Sequence, residues 1–352
     1  MENTESRLYF ASDYMEGAHP AIMKKLMETN LEKTVGYGQD PYTEDAKEKI
    51  RKACNAPEAE VHFLVGGTQT NATVIGALLA SYQGVIAAET GHVSSHEAGA
   101  IEAGGHKVLT IPQTDGKISA EKVEEVLNTF KEDGNRDHMV MPGMVYISQP
   151  TEYGTLYNRQ ELEALSKVCR SNGIPLYLDG ARLAYALACS ANDVTLVDIA
   201  ACCDAFYIGG TKCGALFGEA VVFPKPGLIP HFFTIIKQHG ALLAKGRILG
   251  IQFDVLFEND LYEHIGEPAI AAADKIREGL KENGIELYLD APTNQVFCVV
   301  ENAFMEKLAQ KVEFSFWEKK DENHTVIRFA TSWATTMEDV DELIKLIKQI
   351  NE

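Results

Sequence analysis

Residues 158–182 read NRQELEALSKVCRSNGIPLYLDGAR, and this stretch decides the fold. Asn158 followed by Glu161 is a capping-box pattern, in which each side chain satisfies the other residue's backbone amide at a helix start. Leu162, Leu165, Val168 and Cys169 then recur with helical period on one face. Gly173 and Pro175 stop the helix. Leu176-Tyr177-Leu178 follows as a short apolar strand and runs into Asp179-Gly180. A carboxylate is thereby set at the carboxyl edge of a sheet, where open α/β sheets bind ligands.

The same alternation extends in both directions. Val61-His62-Phe63-Leu64-Val65 reads as a strand, Gly66-Gly67-Thr68-Gln69 as a turn, and Asn71 to Leu79 as a helix. Ala205-Phe206-Tyr207-Ile208 leads into Gly209-Gly210-Thr211-Lys212. Thr325 to Ala330 reads as a strand, followed by a last helix capped by Thr336, with Val340, Leu343, Ile344 and Ile347 facing inward. Strands alternating with helices predict an α/β fold with a largely parallel sheet. A chain of 352 residues exceeds one ordinary core. The pattern divides it into an N-terminal segment (1–15), a large domain (16–250) and a small C-terminal α/β domain (251–352).

Bulk properties exclude several function classes. A formal net charge of −19 opposes binding to nucleic acid, whose affinity comes mostly from neutralising phosphates with Lys and Arg. Met1–Ser6 is polar and lacks the apolar core of an export signal. The longest apolar runs, such as 74–80 and 194–203, are too short or too polar to span a bilayer. The seven cysteines, at 54, 169, 189, 202, 203, 213 and 298, include no zinc-like pair. No metal site is expected, and a reducing cytoplasm is.

Three features carry chemistry. Glycines between a strand and a helix let a backbone approach an anion, and the helix N-terminus offers it amides and partial positive charge; Gly66-Gly67-Thr68 has that form. Neither a Walker loop nor the dinucleotide fingerprint is present. Asp179 on a strand end and Lys212 after two glycines each have plain structural readings, a turn residue and a surface lysine. Together the three meet the needs of pyridoxal phosphate: a helix N-terminus for the phosphate, an anion for the ring nitrogen, and an amine for the aldehyde carbon.

With these residues in view, the sequence resembles the low-specificity threonine aldolase and aromatic β-eliminating lyase group of fold-type I pyridoxal-phosphate enzymes. The carriers are Phe10-Ala11-Ser12-Asp13, residues 37–43 (YGQDPYT), residues 63–71 (FLVGGTQTN), His92 with Glu97-Ala98-Gly99, Leu178-Asp179-Gly180-Ala181-Arg182-Leu183, and Gly210-Thr211-Lys212. They span nearly the whole chain. The resemblance implies a mostly parallel seven-stranded sheet in the large domain. It also implies that Gly67 and Thr68 bind the cofactor phosphate, His92 stacks on the ring, Asp179 pairs with the ring nitrogen, and Lys212 bonds the cofactor. By the same resemblance Arg182 holds the cofactor or the substrate carboxylate, Arg328 grips that carboxylate, and Ser12 lines the substrate site. Lys237 and Lys245 would reach a neighbouring subunit's cofactor phosphate, in a homodimer or homotetramer with sites at the subunit interface.

Two positions depart from the group's pattern. Residues 149–154 read QPTEYG where the group often has Glu-Asn-Thr-His-Asn-Gly, so Glu152 replaces a histidine that binds the substrate hydroxyl in many aldolases. Glycine precedes Thr211-Lys212 where serine is usual. The expected reaction is cleavage of a β-hydroxy-α-amino acid, L-threonine or L-allo-threonine, to glycine and an aldehyde, with His92 (through a water) or Glu152 as base. Other cofactor-dependent chemistry on an amino acid, such as β-elimination, and non-catalytic binding of a phosphorylated metabolite are the rival readings.

Overall fold

The computed structural model describes residues 7–351; the Met1–Ser6 segment, read above as carrying no export signal, lies outside the described residues. A short first strand, β1 (Leu8–Tyr9), precedes seven that form one sheet: β2 (Glu60–Leu64), β3 (Gln83–Ala88), β4 (Val108–Ile111), β5 (Met141–Ser148), β6 (Leu176–Asp179), β7 (Ala205–Gly209) and β8 (Glu219–Phe223). Their order is β2-β8-β7-β6-β5-β3-β4. Only β8 runs against the rest, and β4, β3, β5, β6 and β7 are parallel neighbours. The chain is thus α/β with a mostly parallel seven-stranded sheet.

Helices cover both faces, so the strands are apolar on both sides rather than alternating. In β7, Phe206 and Ile208 join one core while Ala205 and Tyr207 join the other. Phe206 is fully buried, so its truncation to Ala would cost about 3–5 kcal/mol. The reciprocal cap at Asn158 and Glu161 forms as expected, and Gly173, at φ +66°, ends that helix in a conformation few side-chain-bearing residues adopt.

The smaller layer contains β9 (Glu286–Leu289), β10 (Gln295–Glu301), β11 (Val312–Glu313), β12 (Ser315–Lys319) and β13 (His324–Ala330). An antiparallel sheet runs β12-β13-β10-β9, while β1 pairs with β11. Leu8 and Phe10 therefore belong to this layer's core despite opening the chain. The division expected after residue 250 falls inside the helix Arg247–Leu256, which packs against the helix Pro41–Ala53 on the large-sheet side. The crossing between cores lies in the next long helix, Glu267–Glu282. Ala269 and Ile270 face the large core, whereas Ala272, Ala273 and Ile276 face the small one.

Candidate active site

Strands β6 and β7 end side by side because glycines let their continuations touch. A Cβ at Gly180 would collide with the carbonyl oxygen of Tyr207, and one at Gly209 with those of Gly180 and Ala181. This close approach opens Asp179, at the end of β6, and Lys212, just past β7, into one cavity of about 300 Å³. Gly66, Gly67, Thr68, His92, Glu152, Arg182, Thr211 and Glu219 share its wall. A second space of about 360 Å³ shares Tyr14, His92, Glu152, Arg182 and Lys212 with it and continues to Gln295, Phe316, Trp317 and Arg328 of the small layer.

At the inner end Asp179 is buried and held by four donors. The hydroxyls of Tyr207 and Tyr146 donate at 2.5 and 2.6 Å, and Ala181 N and Asn71 Nδ2 each at 3.0 Å. Burial alone would raise this carboxyl, but His92 and the hydrogen bonds from Tyr146, Tyr207 and Asn71 bring it below the usual carboxylate range. The result is a fixed anion. Burial, reinforced by the charge of Arg182, pushes the Lys212 ammonium down, which favours a free amine.

The helix Gly67–Leu78 starts from Gly66 with no side-chain cap, leaving its first amides open toward the cavity. His92 opens the short helix His92–Ser95 and contacts Glu97 Oε1 through Nδ1 at 2.8 Å. Glu97 Oε1 also accepts from Asn71 Nδ2 at 2.8 Å, so His92, Glu97, Asn71 and Asp179 form one connected network. A carboxylate at Nδ1 holds a proton on that nitrogen and fixes the orientation of the ring. Glu152 Oε1 accepts from His92 N at 2.9 Å and Ser148 Oγ at 2.8 Å. Its loop is tied by Gln149, whose amide bonds both Tyr157 N and Tyr157 O. Burial raises the Glu152 carboxyl above its ordinary value.

Toward the small layer, Arg328 Nη1 donates to Gln295 Oε1 at 2.8 Å, and Nη2 to Ala11 O and Ser315 Oγ, both at 3.0 Å. Its guanidinium lies 5.5 Å from the Trp317 ring centroid, and Nε is buried without a partner. Arg182 grips Asp13 with Nε at 2.6 Å and Nη2 at 3.0 Å. Burial opposes ionisation of Asp13, but Arg182, Lys212 and hydrogen bonds from Arg182 and Asn294 hold its carboxyl at about 2.

Gly67, Thr68, His92, Glu152, Asp179, Arg182, Lys212 and Arg328 are therefore brought together. Ser12 is not on either wall; Tyr14 is, with its ring 5.9 Å from Lys212 Nζ. Lys237 and Lys245 are exposed and line neither space, and Lys237 Nζ lies 4.5 Å from the Tyr37 ring. The roles of Asp13, Asn71, Glu97, Tyr146 and Tyr207 were not read from sequence. Asp13, Asn71 and Glu97 sat within the motifs already quoted, so the signal was present. Glu219 had none.

An uncapped helix start, an anchored carboxylate and a buried amine in one cavity fit pyridoxal phosphate, and with this sheet they define a fold-type I pyridoxal-phosphate enzyme. The profile of the beta-eliminating lyase family matches residues 9–303, and the chain belongs to that family. It is 30% identical over 350 residues to the low-specificity L-threonine aldolase of Pseudomonas aeruginosa, covering 99% of both chains. A solved structure of Leishmania major threonine aldolase is 40% identical with a TM-score of 0.95, over 98% of this chain and 100% of that one. Aspartate aminotransferase of Thermus thermophilus shares the fold at 14% identity, with a TM-score of 0.73 over 98% of this chain and 92% of that one.

Proposed function

We propose that the protein cleaves a β-hydroxy-α-amino acid, L-threonine or L-allo-threonine, to glycine and an aldehyde. The observation that carries this reading is the shared wall of Lys212, Asp179 and Glu152, continuous with Arg328. Bound pyridoxal phosphate supplies an electron sink for the pair left at Cα when a bond to it breaks. Gly67 and Thr68 would hold its phosphate, Asp179 would keep its ring nitrogen protonated, His92 would lie against its ring, and Lys212 would supply the amine for its aldehyde carbon.

Arg328 binds the substrate carboxylate, with Arg182 fixed beside it by Asp13. A guanidinium suits this bidentate task. Glu152 Oε1 is tied down by Ser148 and His92 N, which leaves Oε2 for the substrate's hydroxyl. Glu152 takes the hydroxyl proton as the Cα–Cβ bond breaks and the aldehyde leaves, and Cα then gains a proton to give glycine. Because burial raises its proton affinity, Glu152 is a stronger base than an ordinary carboxylate. His92 Nε2, acting through a water, is the other base in reach of the cavity.

A second copy of the chain completes the site in this reading, through Lys237 and Lys245. Support comes from the exposed apolar residues Met23, Met27, Leu31 and Val35 on the segment ahead of Tyr37. Seven buried, unpaired thiols support a cytoplasmic setting. Among the described residues no helix is long and apolar enough to cross a membrane.

The test is to incubate the protein with L-threonine, L-allo-threonine and phenylserine and to assay glycine and aldehyde. Glycine from at least one is expected, and none from the Lys212→Ala variant. No glycine from any substrate would move the assignment to β-elimination.

A further inference from the structure

We propose that Glu219 is a positioning residue for the cofactor phosphate, carrying a proton when the phosphate is bound and thereby turning the Thr211 hydroxyl toward it. This rests on the cofactor assignment above and goes beyond it.

Glu219 opens β8, whose antiparallel course sets it opposite Gly209 and beside the turn that carries Lys212. The residue is only 3% exposed, yet it lines the same cavity as Gly66, Gly67 and Thr68. Its Oε1 accepts from Thr211 Oγ1 at 2.8 Å and its Oε2 from Gly210 N at 3.1 Å. Thr211 Oγ1 in turn accepts from Gly218 N at 3.0 Å.

A hydroxyl has one proton to give. While Glu219 is ionised, that of Thr211 is committed to the carboxylate and cannot reach a phosphate. Two anions sharing one cavity also repel. Protonation of Glu219 removes both obstacles. Its O–H donates to Thr211 Oγ1, and the Thr211 proton is released toward the cavity it lines.

The titratable groups acting on Glu219 are Lys212, Asp179, Tyr177, Tyr207, Tyr262 and Cys213. Lys212 is the one cation among them. From β2 the residue meets Leu64, and the helix Arg247–Leu256 brings Leu249 and Phe253 against Gly218, none of which titrates. Burial drives the carboxyl up to about 8 even against the Thr211 hydrogen bond and the Lys212 charge. Phosphate binding then drives it higher, so binding takes up a proton wherever Glu219 is otherwise ionised.

The test uses the full-length protein stripped of cofactor. Equilibrium dialysis measures affinity for pyridoxal phosphate and for pyridoxal, which lacks the phosphate, across alkaline pH in wild type and Glu219→Gln. The ratio of the two affinities cancels proton exchange at Lys212. In wild type this ratio should fall about tenfold per pH unit above pH 8. In Glu219→Gln it should stay level, because the amide still donates to Thr211 Oγ1. Equal pH slopes in the two proteins, or an equal effect of the substitution on pyridoxal, would overturn the proposal. Calorimetry on wild type in two buffers of different ionisation enthalpy gives a second reading independent of any variant. At pH 9, about one more proton should be taken up with pyridoxal phosphate than with pyridoxal; no difference overturns the role of Glu219. A protein that binds neither compound overturns the cofactor assignment itself.

Discussion

The two ends of the cavity are built differently. At the inner end Asp179, Tyr146, Tyr207 and Asn71 come from strands and a helix of one sheet layer, and each polar atom named has its partner. At the outer end Arg328, Gln295 and Trp317 come from the small sheet, Tyr14 from the N-terminal segment, and Glu152 from a loop. There the Arg328 Nε is buried without a partner. A group that never moves can be over-determined by its surroundings. A group that must exchange substrate for product keeps donors in reserve, and unsatisfied buried donors are destabilising on their own.

That contrast can be broken at three points, one at the inner end and two at the outer. Asp179→Asn replaces the fixed anion with an amide that cannot keep a ring nitrogen protonated. kcat should fall about 10²–10³-fold, in line with other lost electrostatic contacts to developing charge. The visible absorbance of the bound cofactor should change as well. Near wild-type kcat would show that the inner end does not act through charge.

Arg328→Lys keeps the charge but loses the fork. KM for L-threonine should rise about 10–100-fold, from the loss of charge-assisted hydrogen bonds of about 1.5–3 kcal/mol, while kcat changes less. A fall in kcat with KM unchanged would place Arg328 in the chemical step instead.

Glu152→Gln probes the proton. A base must be ionised, and burial raises this carboxyl. Wild-type kcat/KM should therefore climb as pH rises through a value above the ordinary carboxylate range. The variant should lose that limb and, within the range for general bases, about 10²-fold in rate. An unchanged limb would hand the proton to His92.

The same contrast sets what sequence could reveal. Asp179, Gly67 and Lys212 were legible because each sits where a strand gives way to a turn, a local pattern. Arg182's partner was not, since Asp13 lies 169 positions away and only the folded chain brings them together. Glu97 and Asn71 stood in quoted motifs, but their link to Asp179 depends on the order of strands across the sheet. Glu219 reads locally as a surface charge at a strand start; the antiparallel turn of β8 buries it. Ser12 stands next to Asp13 and two residues before Tyr14, and only the folded chain shows that Tyr14 rather than Ser12 lines the cavity. The change of core within the helix Glu267–Glu282 left no break in composition at all, since one continuous amphipathic helix serves both layers.

Gly180 and Gly209 have a reach beyond steric convenience. Each lacks a side chain so that the other strand's backbone can lie against it. The acid on one strand and the amine beyond the next therefore form a single mechanical part with a backbone seam through its middle. Anyone transplanting this site to a new scaffold must carry the seam as well. An aspartate and a lysine copied onto strands whose next residues carry side chains would put a Cβ where the two backbones now touch, and the turns bearing the acid and the amine would be pushed apart.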